Sequence, residues 1–211
     1  MIFYASALSS YSAKVRLVLC VKNVAFTEFV PPGGYRSAQY RAIAPMGSLP
    51  AIRVGDWVLS ESEAINEFLE ERYPEPAMLP HDLQQRAQVR FLCRFHDLYL
   101  EPAVRALFGH VNPASRNPER VGQARQEIEH RLQQLAQWSA PEPYLLTPQI
   151  SLADCGPLVT IPLAMQVLAT CGEHLQLPVS LRDWLHAADQ HPAVERALAP
   201  WRVATAAWLN S

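Results

Sequence analysis

Three short segments hold residues whose types and spacing could do chemistry. The first is Ser9-Ser10-Tyr11-Ser12, where an apolar run gives way to a helical pattern. A strand-to-helix junction of this kind presents free backbone N–H groups and the positive end of a helix dipole, so it stabilises an anion, including a thiolate. A serine hydroxyl there is a poor nucleophile without a base, and no histidine lies nearby in sequence. It can instead donate a hydrogen bond to a bound thiolate, favouring the charged form and lowering the thiol pKa. Read alone, the same serines serve equally as helix caps.

The second segment is Leu49-Pro50. Proline at the start of a strand donates no ladder bond, and an X-Pro bond at such a place is a candidate cis peptide. That arrangement would leave the Leu49 backbone able to bind an extended peptide in strand fashion. The bland alternative is an ordinary strand-initiating proline. The third segment, Glu61-Ser62, opens another helical pattern. Its N–H groups suit a carboxylate and Glu61 suits an ammonium group, so together they could hold an α-amino acid end. Simple N-capping by Ser62, with Glu61 or Glu63 complementing the dipole, explains the same residues.

The elements that must position these segments follow from periodicity and turn chemistry. Ile2 to Ala5 is a short apolar run suited to a buried strand, and Val15, Val18 and Leu19 give Ser12 to Lys22 a helical face. Ala25 to Val30 is a second strand, closed by Pro31-Pro32-Gly33-Gly34. A short helix around Ala38 to Ile43 stops at Ala44-Pro45. Leu49 to Val54 and Trp57 to Leu59 flank Gly55-Asp56 as a hairpin, and Ile65, Phe68 and Leu69 mark a helix ending at Tyr73-Pro74. The order is βαβαββα, an α/β arrangement of thioredoxin-like type.

The proline-rich stretch 73–80 suits a stiff connector. After it strand signals fade. Val89, Leu92, Cys93, His96 and Leu100 form one helical stripe, Val121, Ala124, Ile128, Leu132 and Leu135 another, and Trp184, Leu185 and Ala188 a shorter one. The expected domains are 1–76, thioredoxin-like, and 83–211, an all-α helical bundle. Within the latter, Ser151 and Asp154 have the spacing of a capping box, with Ile150 and Cys155 as a hydrophobic staple. Pro157 and Pro162 then predict a kink or a displaced helix boundary.

Composition narrows the function classes. A formal charge of −2 with scattered arginines gives no electrostatic case for nucleic acid or an anionic membrane. No uninterrupted apolar stretch of membrane-spanning length stands out, and the N-terminus lacks the charged flank and apolar run of a secretory signal. Cys20, Cys93, Cys155 and Cys171 lie far apart among apolar residues, with no C-x-x-C pair and no zinc-ligand spacing. All four are expected to be buried free thiols, which fits a reducing cytoplasmic setting. No metal site is expected.

In order and spacing these segments resemble the cytosolic glutathione S-transferase family. SSYSAKVRLVL is similar to the first βα turn of its serine-type theta, zeta and tau classes. APMGSLPAI resembles the cis-proline segment, LSESEAINEFLEERYPEP the Glu/Gln-Ser motif, and SLADCGPLV the capping box of the helical domain. The resemblance implies glutathione as co-substrate and no metal. It puts Ser9 where serine classes place the hydrogen-bond donor to the glutathione sulfur, with Ser10 and Ser12 as the alternatives if the loop register slips. Ser10, Tyr11, Ser48, Leu49, Pro50, Glu61 and Ser62 become the glutathione-binding set. Leu49 pairs with the cysteinyl part, and Glu61 and Ser62 hold the γ-glutamyl end.

The second substrate, a small hydrophobic electrophile, is expected between the halves, with Tyr11, His96, Tyr99 and Phe108 as candidate wall residues. Taken by itself, His96 reads better as a satisfied, half-buried histidine. The implied activity is glutathione transfer, with a glutathione-dependent isomerase, a peroxidase or a non-catalytic binding or regulatory protein as alternatives. A homodimer is implied too. Two departures stand out. Ser48 and Ala44 replace the Lys or Gln and the Asn of many relatives, leaving Gln39 or Arg41 to meet the glycine carboxylate. Tyr11 stands where the maleylacetoacetate isomerase branch often has cysteine, which argues against that branch.

Overall fold

The computed structural model describes residues 1–210. They form two compact units, residues 1–78 with 192–204, and residues 79–191 with those from 205 onward.

In the first unit, strand β1 (Ile2–Tyr4) lies between β2 (Thr27–Phe29) and β3 (Ala51–Val54), and β4 (Trp57–Ser60) completes the order β2-β1-β3-β4. β1 and β2 are parallel, and the other two pairings are antiparallel. The expected βαβαββα order is therefore observed, and the unit has the thioredoxin-like fold. Helix α1 (Ser10–Val21) begins at Ser10 rather than Ser12 because Ser9 caps it. β2 is shorter than the 25–30 stretch and exposed at all three positions. As an edge strand with one neighbour it buries little, and its Glu28 supplies an edge charge. Helix α2 (Ala38–Arg41) contributes buried Tyr40 to a cluster with Tyr4, Ala44 and Ala51. Helix α3 (Ser62–Arg72) packs against α1.

The proline-rich stretch after α3 is tied down rather than free. Lys22, 5% exposed, donates to the carbonyls of Tyr73 and Pro76 at 2.7 and 2.9 Å and pairs with Glu70 at 2.6 Å. The Glu70 carboxylate accepts from Met78 N at 3.1 Å. This buried cation ties two backbone carbonyls and a carboxylate together, and the first unit runs to Met78 and not only to residue 76.

The second unit is all helix. Asp82 caps α4 (Leu83–Phe95), accepting from Gln84 N and Gln85 N. The stripe read as one helix then widens into a π-helical turn, His96–Leu100, before α5 (Glu101–Arg105). Pro102 lacks the N–H that would bond the Leu98 carbonyl, and Glu101 N donates instead to His96 O. Helix α6 (Pro118–Trp138), capped by Asn117, carries the second stripe, with Val121, Ile128, Leu132 and Leu135 buried.

Pro157 displaces a boundary, as expected: α7 (Leu152–Cys155) ends at Gly156, and Pro157 is the first residue of α8 (Pro157–Thr170). Pro162 stays inside α8. Residues Leu152–Thr170 do have the length and mean hydropathy, 1.5, of a membrane span, although the apolar run is interrupted. Yet 78% of that window is buried within the protein, as in a core helix. Helix α9 (Val179–Asp189) buries Trp184, and α10 (Pro192–Leu209), not foreseen from its sequence, contributes residues to both units. Cys20, Cys93 and Cys155 are buried free thiols, but Cys171 is only half-buried, at the end of α8 where the chain turns out at Gly172.

Candidate functional site

The three chemical segments converge because of sheet register. Tyr4, the last residue of β1, pairs with Ala51, the first of β3, and Ala51 pairs with Ser60, the last of β4. One row therefore ends the sheet. The chain leaves it from Tyr4 towards Ser9, enters it through Leu49-Pro50, and leaves it again into Glu61-Ser62. Strands about 4.8 Å apart make this row ~10 Å wide, the span of about three extended residues.

At the first segment, Ser9 is the N-cap of α1, and its Oγ accepts from Ser12 N at 3.2 Å. A hydroxyl has one hydrogen to donate beyond its lone pairs, and among the described residues the Ser9 hydrogen meets no acceptor. Ser12 is fully buried, its Oγ facing Ser6 N at 3.5 Å, and Ser10 is 7% exposed. Ser9 is thus the half-buried member of the trio, with a donor to spare. Tyr11 is half-buried too, with the Lys14 ammonium 5.8 Å from its ring centre.

Leu49–Pro50 is a cis peptide, and Pro50 sits directly ahead of β3. Tyr40 holds this loop by donating its OH to the Ser48 carbonyl at 2.9 Å. Burial, with the neighbouring Tyr4, pushes the Tyr40 phenol up to about 12. Of the residues considered for a glycine carboxylate, Arg41 is engaged with the Arg36 carbonyl at 3.1 Å. Gln39 Oε1 lies where a Cβ on Gly33 would sit.

The third segment differs from its simplest expectation. Ser62 is the first residue of α3, not its cap; the cap position belongs to Glu61, which makes no side-chain capping bond. Glu61 holds φ 74°, ψ 115°, backbone that a residue with a Cβ adopts only at a cost. The opening N–H groups of α3 are left without a side-chain cap, a ready anion site. Beside them, Glu63 pairs with Lys14, whose side chain is 2% exposed, joining the starts of α1 and α3. Neither the Glu61 backbone nor this pair was read from the sequence. A lysine on the apolar side of an amphipathic helix was the one available signal for the latter.

The second-substrate candidates of the helical unit fare unequally. Tyr99 is 49% exposed, stacked on Phe95 and covered by Arg131 at 5.3 Å. Phe108 is half-buried against Trp208, with Arg105 5.2 Å above its ring. His96 is not a wall residue. It is 2% exposed, with Nδ1 at 2.7 Å from Asp97 Oδ1 and Nε2 at 2.7 Å from Thr160 Oγ1. Gly156 is packed so closely on it that a Cβ there would lie 2.5 Å from the imidazole.

The capping box is present. Asp154 accepts from Ser151 N and Ser151 Oγ at 2.8 and 2.7 Å, and also from Leu145 N and Trp184 Nε1 at 3.0 and 2.8 Å. Complete burial raises its carboxyl pKa, against the pull of those four donors.

Residues 3–77 match the family model described as the glutathione S-transferase N-terminal domain. Over these residues the chain is similar to the glutathione S-transferase family. It is 40% identical over 83 residues to glutathione S-transferase Z1 of Arabidopsis thaliana, 37% of each chain. It is 36% identical over 102 residues to maleylacetoacetate isomerase of Pseudomonas aeruginosa, 43% of this chain and 48% of that one. The matched stretches thus span less than half the length of these curated relatives.

Among solved structures, the holo form of maleyl pyruvate isomerase, a bacterial zeta-class glutathione S-transferase, superposes with a TM-score of 0.80. Identity is 25%, over 95% of this chain and 98% of that one. Tyr11 notwithstanding, the chain is similar to these isomerases.

Proposed function

We propose that this chain is a glutathione S-transferase that binds glutathione across the Tyr4–Ala51–Ser60 end of the sheet and acts as a glutathione-dependent enzyme on a small apolar electrophile. The observation that carries the reading is Ser9, whose Oγ spends a lone pair on capping α1 while its hydrogen has no acceptor among the described residues. That hydrogen and the α1 N-terminus would hold the glutathione sulfur as thiolate. The Leu49 backbone would pair with the cysteinyl part. The uncapped start of α3 at Ser62 would take the γ-glutamyl carboxylate, and the Glu61 carboxylate its ammonium. Ser10, 7% exposed, supports this turn from within, and Ser48 lines the loop that Tyr40 fixes. Tyr11 would border the electrophile. The chain would work as a cytoplasmic homodimer.

When bound, glutathione would supply a nucleophilic sulfur: in a transferase its C–S bond would form as a leaving group departs with its electron pair, or as the π pair of a C=C bond shifts to carbon and is protonated, whereas in an isomerase that shifted pair would, after rotation about the former double bond, re-form C=C and expel the thiolate. The isomerase relatives favour the second course, and glutathione consumption separates the two. A transferase uses one glutathione per product, whereas an isomerase uses none.

Titration with glutathione while following ultraviolet thiolate absorbance tests the site. Ser9→Ala should leave binding largely intact, raise the pKa of the bound thiol and lower turnover by about a hundredfold, the usual worth of one oriented donor to a reacting anion. Absence of binding at millimolar glutathione overturns the reading. Loss of activity in Ser10→Ala but not Ser9→Ala moves the donor to Ser10.

A further inference from the structure

Glu63 carries its charge where the site can least use it. It is the second residue of α3, beside the opening N–H groups assigned above to the γ-glutamyl carboxylate. The helix dipole draws a carboxylate of the first turn towards those groups. An unrestrained Glu63 would therefore fill the opening itself or repel an incoming anion. Neither is observed. No side chain caps α3, and the Glu63 carboxylate is turned to the Lys14 ammonium instead.

Helix α1 places Lys14 for this. α1 and α3 pack side by side, their starts joined by Lys14 with Glu63 and their ends by Lys22 with Glu70. The Lys14 side chain is 2% exposed, and its ammonium lies 5.8 Å from the ring centre of Tyr11, so it cannot swing away into water. The other basic residues of α1 are committed elsewhere, Arg16 to Glu28 and Lys22 to Glu70. Among the described residues Lys14 is the one ion partner of Glu63. The Glu63 side chain is 18% exposed, so water screens its charge poorly and the work falls to Lys14.

We propose that Lys14 is a positioning residue for glutathione: it holds the Glu63 carboxylate off the opening of α3 and cancels its charge there, which leaves that opening to the ligand's γ-glutamyl carboxylate. The inference rests on the glutathione reading above. Lys14 acts through Glu63, so removing the cation and removing the acid have effects of opposite sign on binding. A plain strut between α1 and α3 would be weakened by either loss.

Calorimetric titration of the full chain with glutathione tests this. Lys14→Met should weaken binding about tenfold, the scale of one poorly screened charge at a few ångströms. Glu63→Gln should bind up to about threefold more tightly than wild type, since the competing acid is gone and the cation stays. Lys14→Met combined with Glu63→Gln should return to within about twofold of wild type, the signature of a coupled pair. The 4-aminobutyryl analogue of glutathione, which lacks only the γ-glutamyl carboxylate, should lose no affinity in Lys14→Met. Thermal unfolding reports that each variant is folded, and Glu63→Gln, which leaves the buried lysine in place, keeps the sign test available if Lys14→Met is not. Equal affinity in wild type and Lys14→Met overturns the proposal, and so does weaker binding in Glu63→Gln, which is the mark of a strut. Absence of glutathione binding in wild type overturns the glutathione reading and this inference with it, whereas binding in wild type without the sign change overturns this inference alone.

Discussion

Two helix starts in this molecule solve the same problem in opposite ways. At Ser151 the opening of α7 is buried, and Asp154 gathers four donors, two of them from residues outside its own turn. At Glu61 the opening of α3 has no side-chain cap, and the cap residue is exposed in left-handed backbone. A helix end with its N–H groups satisfied is finished structure. One left open and strained is a place where a ligand can complete what the chain leaves undone.

The contrast breaks most readily at Asp154. Asp154→Ala strands several buried donors at about 1–3 kcal/mol each, so denaturant unfolding should register a loss of about 3–5 kcal/mol. Thiolate absorbance per folded molecule should stay unchanged. If glutathione binding fell instead while stability held, the two helix starts would have exchanged roles. Next in size is the Ser9→Ala effect on turnover, which tests the other helix that opens at the sheet end.

Glu61→Gly should go the opposite way from Asp154→Ala. Glycine adopts positive φ freely, so stability should hold or rise by up to about 1 kcal/mol, read from the denaturation midpoint. Glutathione affinity should fall about tenfold as the carboxylate is lost. Loss of stability in this variant would mean that the Glu61 backbone is not strained.

The smallest effect concerns Tyr40, which holds the Leu49 loop from below. Its phenol ionises near 10 in the unfolded chain but at about 12 in the folded one. Between those values the unfolded state has given up a proton that the folded state keeps, so stability falls as pH rises through this window. Tyr40→Phe should flatten that segment of the stability curve, and an unchanged slope would remove Tyr40 from the account.

Much of this was legible in the sequence because turn chemistry and apolar period speak locally. Gly55-Asp56 announced the hairpin, Leu49-Pro50 the cis bond, and Ser151 with Asp154 the capping box. What was not legible depends on partners far along the chain. Lys22 reads only as the end of a helix, and its partners Tyr73, Pro76 and Glu70 lie some fifty positions along the chain. His96 reads as a stripe residue near a cleft until Gly156 and Thr160 close over it. Glu61 carries no local signal for positive φ, since glutamate is not a residue that seeks it.

The division of α10 also sets an order of events during synthesis. Residues 192–204 belong to the compact unit that begins at Met1, and the bond from Arg196 to the Cys20 carbonyl spans 176 positions of sequence. A chain emerging from the ribosome therefore makes its sheet and first helices early, yet waits for nearly all the rest before that unit closes. Contacts so distant in sequence are slow to form because the intervening chain must first be brought round. A fragment ending at Met78 would consequently leave the Arg16 and Cys20 side of α1 uncovered, and its assembly would await α10.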